Sequence, residues 1–160
     1  MTDHVLDRRF WLPRARPEVF AFFADPRNIA LVSPPAARLR WLAPPPGVLA
    51  AGAVLDFSAR LAGVPARWRV MVRELDTPHR FVDVQLWGPF ARWEHRHLFL
   101  EGPPPDGESR AGGTWIEDRV TYRLPFGALG GLAHALGARR WIAASFDYRE
   151  RRLRDLLGGR

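Results

Sequence analysis

The sequence predicts one α+β domain, 1–160, in which an antiparallel sheet of about seven strands curves round a long C-terminal helix. Three observations support this class. Between residues 36 and 123, apolar and polar residues alternate in one segment after another, and turns rich in Pro and Gly separate the segments. After residue 127, apolar residues recur at spacings of three and four, which is the pattern of an amphipathic helix. A chain of 160 residues is long enough for such a domain to bury a core.

The N-terminal segment contains one predicted strand, 4–12, followed by two short helices. Pro17 and Glu18 favour the start of the first helix, because proline fits the first turn and an acidic side chain complements the helix dipole there. Asp25 and Pro26 end this helix and begin the second, with Asp25 as its N-cap.

Six further strands follow in order, joined by short turns, and an antiparallel meander is the simplest way to pair them. The long helix is expected over 129–157, where glycines weaken its first half by about 1 kcal/mol each. A sheet bent round a helix does not always fill the space between them, so we expect an internal cavity. We expect the segment 127–137 to gate that cavity, because its glycines lower its stability as a helix. The predicted strands are 36–42, 54–61, 67–75, 81–87, 93–100 and 114–123.

The last two strands carry polar side chains on a face that is otherwise apolar. Alternation places His95 and His97 on one face of the first of these strands and Asp118 on one face of the second. If Phe99 lies opposite Thr114, antiparallel pairing brings His95, rather than His97, close to Asp118. This face is therefore the candidate site.

Composition excludes several classes of protein. The net charge is +7 and all 24 basic residues are arginine, but they are spread along the chain, so a coding or thermophile-like bias explains them better than nucleic-acid binding. There is no cysteine, no apolar run of about 18 residues and no signal-peptide pattern. The sequence therefore predicts a cytoplasmic monomer or homodimer with no nucleic-acid partner and no stable membrane insertion.

Four segments resemble the START/Bet v 1-like superfamily, also called SRPBCC. Residues 17–28 resemble the opening of that superfamily, and 93–99, WEHRHLF, resembles the W-x-H-x-H-x-F strand of a bacterial ligand-binding branch. In that branch the strand is followed by stretches similar to 113–127 and 146–149. The resemblance covers nearly the whole chain and implies the helix-grip fold. It also implies similarity to polyketide cyclases, lipid-transfer domains and plant allergens that hold hydrophobic ligands.

The function that the resemblance implies is binding of a hydrophobic or amphipathic small molecule, as a carrier or sensor, between the sheet and the C-terminal helix. A cyclase or dehydratase and a regulatory protein-binding module are the alternatives, because the superfamily includes enzymes and binding proteins. The residues expected to bind the ligand are Phe57, Trp68, Val70, Phe81, Trp93, Phe99, Ile116, Val120, Tyr122, Leu132, Leu136 and Phe146.

Three roles remain open for His95, His97 and Asp118. They could be general acid–base groups of an enzyme, anchors for a ligand, or a satisfied polar network that holds the strands in register. A His-x-His pair with one carboxylate could also bind zinc or iron, but nothing else in the sequence indicates a metal, so neither a metal nor a cofactor is predicted. Arg69, Arg123 or Arg149 could hold an anionic group of the ligand.

Overall fold

The computed structural model describes residues 2–107, 112–127 and 137–158. Seven strands form one sheet in the order β1-β7-β6-β5-β4-β3-β2, and every neighbouring pair is antiparallel. The α+β prediction and the predicted order of elements are confirmed. The strands are β1 His4–Leu12, β2 Arg40–Trp41, β3 Val54–Leu61, β4 Val64–Asp76, β5 Arg80–Trp87, β6 Arg92–Gly102 and β7 Gly113–Arg123.

Among the described residues, three α-helices accompany the sheet: α1 Arg16–Ala24, α2 Ile29–Val32 and the C-terminal α3 Arg139–Leu157. Proline lies in the first turn of α1, as its sequence predicts, and the Asp25 side chain accepts a hydrogen bond from the backbone N–H of Arg27. That cap begins a single 3₁₀ turn that leads into α2. The first part of the predicted long helix, residues 128–136, lies outside the described residues. No described helix is long and apolar enough to cross a membrane.

The predicted strand 36–42 is wrong over most of its length. Only Arg40 and Trp41 pair with β3, while Pro35–Ala37 form a 3₁₀ turn and Arg38 has a positive φ of 46°. Proline has a fixed φ and no N–H to give to a sheet, so it favours the turn. Alternation along this segment therefore indicated which side chains share a face, but it did not indicate how much of the segment pairs.

The predicted register of the last two strands is wrong by two residues. Phe99 pairs with Ile116 rather than Thr114, and His97 rather than His95 lies directly opposite Asp118. Pairing between β6 and β7 continues up to Gly102 and Gly113, which lie opposite each other where the loop begins. This is farther than the sequence pattern indicated. A shift of two residues leaves every side chain on its predicted face, because the side-chain period of a strand is two.

The core lies between one face of the sheet and the helices. Helix α1 contacts β6 and β7, while α3 contacts β1 and α2. Aromatic rings join the layers: Phe20 and Phe23 of α1 lie edge-on to Phe99 of β6, with ring centroids 5.3 and 5.0 Å apart. From α3, Ile142 and Leu153 are fully buried. The helices therefore cover the face of the sheet that carries His95, His97 and Asp118.

Candidate functional site

A cavity of about 240 Å³ separates part of the sheet from the three helices. Its walls are mostly apolar, and they are supplied by β3, β4, β5 and β6 on one side and by α1, α2 and α3 on the other. The apolar lining includes Phe22, Phe23, Ile29, Val32, Leu55, Phe57, Trp68, Val70, Val72, Phe81, Trp93, Trp141 and Leu153.

The predicted ligand-binding residues divide into three groups. Residues of the first group line the cavity: Phe57, Trp68, Val70, Phe81 and Trp93. Residues of the second group are buried in the core and do not line it: Phe99, Ile116, Val120, Tyr122 and Phe146. Leu132 and Leu136 lie outside the described residues, as does most of the predicted gate 127–137.

Four side chains form a polar cluster at one wall: Asp83 of β5, His95 and His97 of β6, and Asp118 of β7. His95 Nε2 lies 3.0 Å from Asp118 Oδ1, and His97 Nε2 lies 3.1 Å from Asp83 Oδ2. His97 Nδ1 lies 2.8 Å from Asp118 Oδ1, although the angle there is not that of a hydrogen bond. The two imidazole rings are 3.7 Å apart. The cluster thus joins three adjacent strands.

Apolar rings pack against the two histidines of the cluster. Phe81 stacks on His97 with 4.0 Å between ring centroids, and Phe23 lies edge-on to the same imidazole. Phe146 of α3 meets the edge of His95 at 5.3 Å. As a result His95, His97 and Asp118 are 5%, 2% and 2% exposed. Charges in this environment are costly unless they are paired.

The two histidines have opposite pKa shifts. Burial lowers the pKa of His95 to about 4, and the neighbouring His97 adds to the effect, so His95 is neutral at pH 7. Burial also acts to lower the pKa of His97, but the carboxylates of Asp118 and Asp83 outweigh it and the pKa is raised. An ionised carboxylate only accepts hydrogen bonds, so Nε2 of neutral His95 carries the hydrogen that faces Asp118. Its Nδ1 then has a free lone pair.

Both carboxylates of the cluster stay ionised. Burial would raise the pKa of Asp118, but the positive charge of Arg149 and hydrogen bonds with the histidines hold it well below the ordinary value. For Asp83, burial is likewise outweighed, chiefly by the hydrogen bond with His97, and the pKa is lowered. The two carboxylates give the cluster two negative charges, and the guanidinium of Arg149 supplies a positive charge beside them.

Arg149 of α3 is the cationic side chain at the cavity. Its guanidinium lies over the ring of Phe23 at 5.1 Å, and its Nε is buried with no hydrogen-bond partner among the described residues. The other two arginine candidates lie elsewhere and are paired, Arg69 with Asp56 and Arg123 with Asp3. Of the three, Arg149 is therefore placed to meet a ligand.

Asp83 is the polar residue at this site that sequence reasoning missed. It follows Phe81 by two positions in the same strand, so the alternation that put Phe81 on the cavity wall applies to Asp83 as well. The residues of α1 and α2 that line the cavity were also missed. Their helices were predicted, but nothing local in the sequence indicates which face of a short helix meets a distant sheet.

No family model matches the chain, and no curated protein matches it. Solved structures do. A START superfamily protein from Mycobacterium smegmatis matches with a TM-score of 0.70 and 11% identity over 96% of this chain and 97% of that one. Ara h 8.0201 matches with a TM-score of 0.59 and 15% identity over 95% and 99% of the two chains. The fold is that of the START/Bet v 1-like superfamily.

The START/Bet v 1-like fold is also similar to part of a larger enzyme. A nucleoside-diphosphate sugar epimerase from Corynebacterium glutamicum matches with a TM-score of 0.61 and 26% identity, over 92% of this chain but 28% of that one. The four sequence segments predicted the fold of this superfamily, and the solved structures confirm that fold.

Proposed function

We propose that the protein binds a compact hydrophobic or amphipathic small molecule in the cavity, as a carrier or sensor. The observation that supports this most directly is the apolar cavity between sheet and helices. Ligand pockets usually measure about 300–1,000 Å³. A volume of about 240 Å³ is slightly smaller and favours a compact ligand, such as a molecule with one or two rings, over a two-chain lipid. A module that only binds other proteins would have no need of an interior space.

The ligand should carry an anionic group. Arg149 has a buried Nε without a partner, and a carboxylate or sulfonate could accept its hydrogen bond. Leaving a buried donor unsatisfied costs about 1–3 kcal/mol, so an anion there removes a penalty as well as adding an attraction. The aromatic walls, including Trp68 and Trp93, would pack against the apolar part of the same ligand.

A fluorescent anionic probe with two fused rings, such as a dimethylaminonaphthalene sulfonate, tests this proposal. Wild-type protein should bind about one probe per chain, and Val70→Trp on the cavity wall should weaken binding at least tenfold by filling the space. Val64→Trp, on the exposed start of the same strand, is the matched control and should bind like wild type. Equal affinity in the two variants, both shown to be folded by circular dichroism, would contradict binding in this cavity.

Acid–base catalysis on a bound aromatic or polyketide-like compound is the second candidate. It is favoured by the position of His95 and His97 on the cavity wall, where the two imidazoles could exchange protons with a bound ligand. Turnover that disappears in His95→Gln and His97→Gln, with probe binding retained, would support an enzyme. Turnover unchanged in both variants would exclude this role for the cluster.

A further inference from the structure

Three side chains of the cluster each offer one atom that could bind a metal: Asp83, His95 and His97. These three atoms all lie within 4.8 Å of one another. We propose that these three side chains bind one divalent transition-metal ion of the Zn²⁺ class, and that Asp118 holds both histidines in the binding orientation. The proposal concerns a site in the cavity wall and does not depend on the small-molecule ligand proposed above.

The orientation of the imidazoles supports an ion at this point. Histidines that bind metals nearly always donate their second ring N–H to a carboxylate or a carbonyl. Here one oxygen of Asp118 lies 3.0 Å from His95 Nε2 and 2.8 Å from His97 Nδ1. The remaining nitrogens, His95 Nδ1 and His97 Nε2, are thus the atoms left for an ion. His97 Nε2 already lies 3.1 Å from Asp83 Oδ2, the third donor.

The layering of the cluster agrees with these roles. Asp83, His95 and His97 all line the cavity, whereas Asp118, which lies beside His97 on the neighbouring strand β7, does not. An ion held by the three lining residues would therefore have its protein ligands on the sheet side and an open coordination position toward the cavity. Three protein ligands with one open position is the arrangement of catalytic rather than structural zinc sites.

The chemistry of the donor set selects the metal. Two imidazole nitrogens and one carboxylate oxygen suit Zn²⁺, Co²⁺ or Fe²⁺, whereas Mg²⁺ and Ca²⁺ prefer oxygen ligands alone. At bond lengths of about 2.0–2.2 Å, tetrahedral ligand atoms stand roughly 3.3–3.6 Å apart. Donor atoms that lie within 4.8 Å of one another therefore need to approach by no more than about 1.5 Å.

Charge allows a divalent ion despite the nearby Arg149. The carboxylates of Asp83 and Asp118 lie on either side of the histidine pair. With a divalent ion held by neutral histidines, the cluster together with Arg149 carries one net positive charge. A site of this charge at the wall of an apolar cavity would attract an anionic group of a ligand.

Titration of metal-free protein with Zn²⁺, followed by calorimetry, tests the proposal. After dialysis against a chelator, wild type should bind one Zn²⁺ per chain, and Asp83→Asn should weaken binding by at least a hundredfold. His79→Gln is the matched control, because His79 is exposed and does not line the cavity, and it should bind Zn²⁺ like wild type. Absent binding in wild type, or equal binding in Asp83→Asn, would overturn the proposal.

Co²⁺ as a spectroscopic probe separates the role of Asp118 from that of the ligands. If Asp118 positions the histidines, Asp118→Asn should weaken Co²⁺ binding by about 10–100-fold while the visible spectrum of the bound ion keeps its shape. A changed spectrum would make Asp118 a ligand itself and contradict the assignment.

X-ray absorption on the Zn²⁺-loaded wild type identifies the ligands of the ion directly. It tests the proposal even if the variants do not fold. The expected spectrum shows two imidazoles and oxygen around the ion at about 2.0–2.2 Å. Spectra without imidazole scattering, or with the signature of one imidazole, would overturn the site even if Zn²⁺ binds elsewhere on the protein. Binding of the anionic probe to the metal-free protein is measured separately. That measurement tests the small-molecule proposal independently of the metal site.

Discussion

At the scale of single residues, two identical side chains two positions apart behave differently because their neighbours differ. His95 faces one carboxylate, and burial lowers its pKa to about 4. His97 lies between Asp118 and Asp83, and its pKa is raised although it is at least as deeply buried. Strand alternation puts both histidines on one face, but the number of carboxylates each meets is decided by β5 and β7. The pKa values of the two histidines therefore shift in opposite directions.

We expect the stability of the protein to fall between about pH 6.5 and pH 4 because of His95. An unfolded histidine takes up a proton near pH 6.5, whereas folded His95 does so only near pH 4, so protons favour the unfolded state in this window. The penalty grows as pH falls and reaches up to about 3 kcal/mol at pH 4. The raised pKa of His97 acts in the opposite direction, favouring the folded state as pH falls.

Urea denaturation at pH 7 and pH 4.5 measures this effect. His95→Gln should lose less stability between the two pH values than wild type, while His79→Gln should follow wild type. Equal losses in wild type and His95→Gln would show that His95 titrates normally in the folded protein.

Removing Asp118 should be among the most destabilising single changes in the cluster. Asp118→Ala removes the hydrogen-bond acceptor of His95 and one of the two carboxylates that lie beside His97. Breaking a buried charged network in this way costs about 3–5 kcal/mol. The free energy of unfolding at pH 7 measures it.

Asp56→Ala serves as the control for this change, because Asp56 pairs with the exposed Arg69 and such surface pairs contribute about 1 kcal/mol or less. Comparable losses in the two variants would mean that the buried network contributes no more than a surface ion pair.

At the scale of elements, α3 combines a buried stripe with an exposed basic face, as its apolar spacing predicts. Ile142, Phe146 and Leu153 are buried in the core, and Leu153 also lines the cavity, whereas Leu156 is 39% exposed. The same helix brings Arg149 to the cavity and Phe146 to the edge of His95. Helix α3 therefore closes the interior and also supplies its cationic side chain.

Two leucines three positions apart on α3 give a matched test of this orientation. Leu153→Ala should lower the free energy of unfolding by about 2–5 kcal/mol, because a fully buried side chain is removed and the cavity is enlarged. Leu156→Ala should cost less than about 1 kcal/mol. Chemical denaturation measures both, and a reversed order would mean that α3 is rotated about its axis.

At the scale of the whole molecule, the cavity is the space left where an open sheet meets three helices. No single element encloses it, since four strands and all three helices contribute walls. The polar cluster occupies one side, where β5, β6 and β7 lie next to one another, and the aromatic rings of β3 and β4 line another part. A ligand that fills this space would contact nearly every layer of the protein.

Such a ligand should stabilise the folded state of the whole domain. At a free probe concentration of about one hundred times its dissociation constant, binding to the folded state alone contributes about 2.7 kcal/mol. Thermal unfolding of wild type and Val64→Trp should shift upward with the anionic probe, and unfolding of Val70→Trp should not. An equal shift in all three proteins would indicate binding outside the cavity.

The sequence by itself determined the order of the elements, the face that each strand residue occupies and the α+β class. These follow from periodicity and from turn residues, which act over a few neighbouring positions, so the faces of His95, His97 and Asp118 were predicted correctly. Register, the extent of pairing and the cavity were decided by tertiary structure. The two-residue slip between Phe99 and Thr114 leaves every face unchanged, and Asp83 meets His97 only because β5 pairs with β6. Contacts between residues distant in sequence depend on how whole elements pack, which no local pattern encodes.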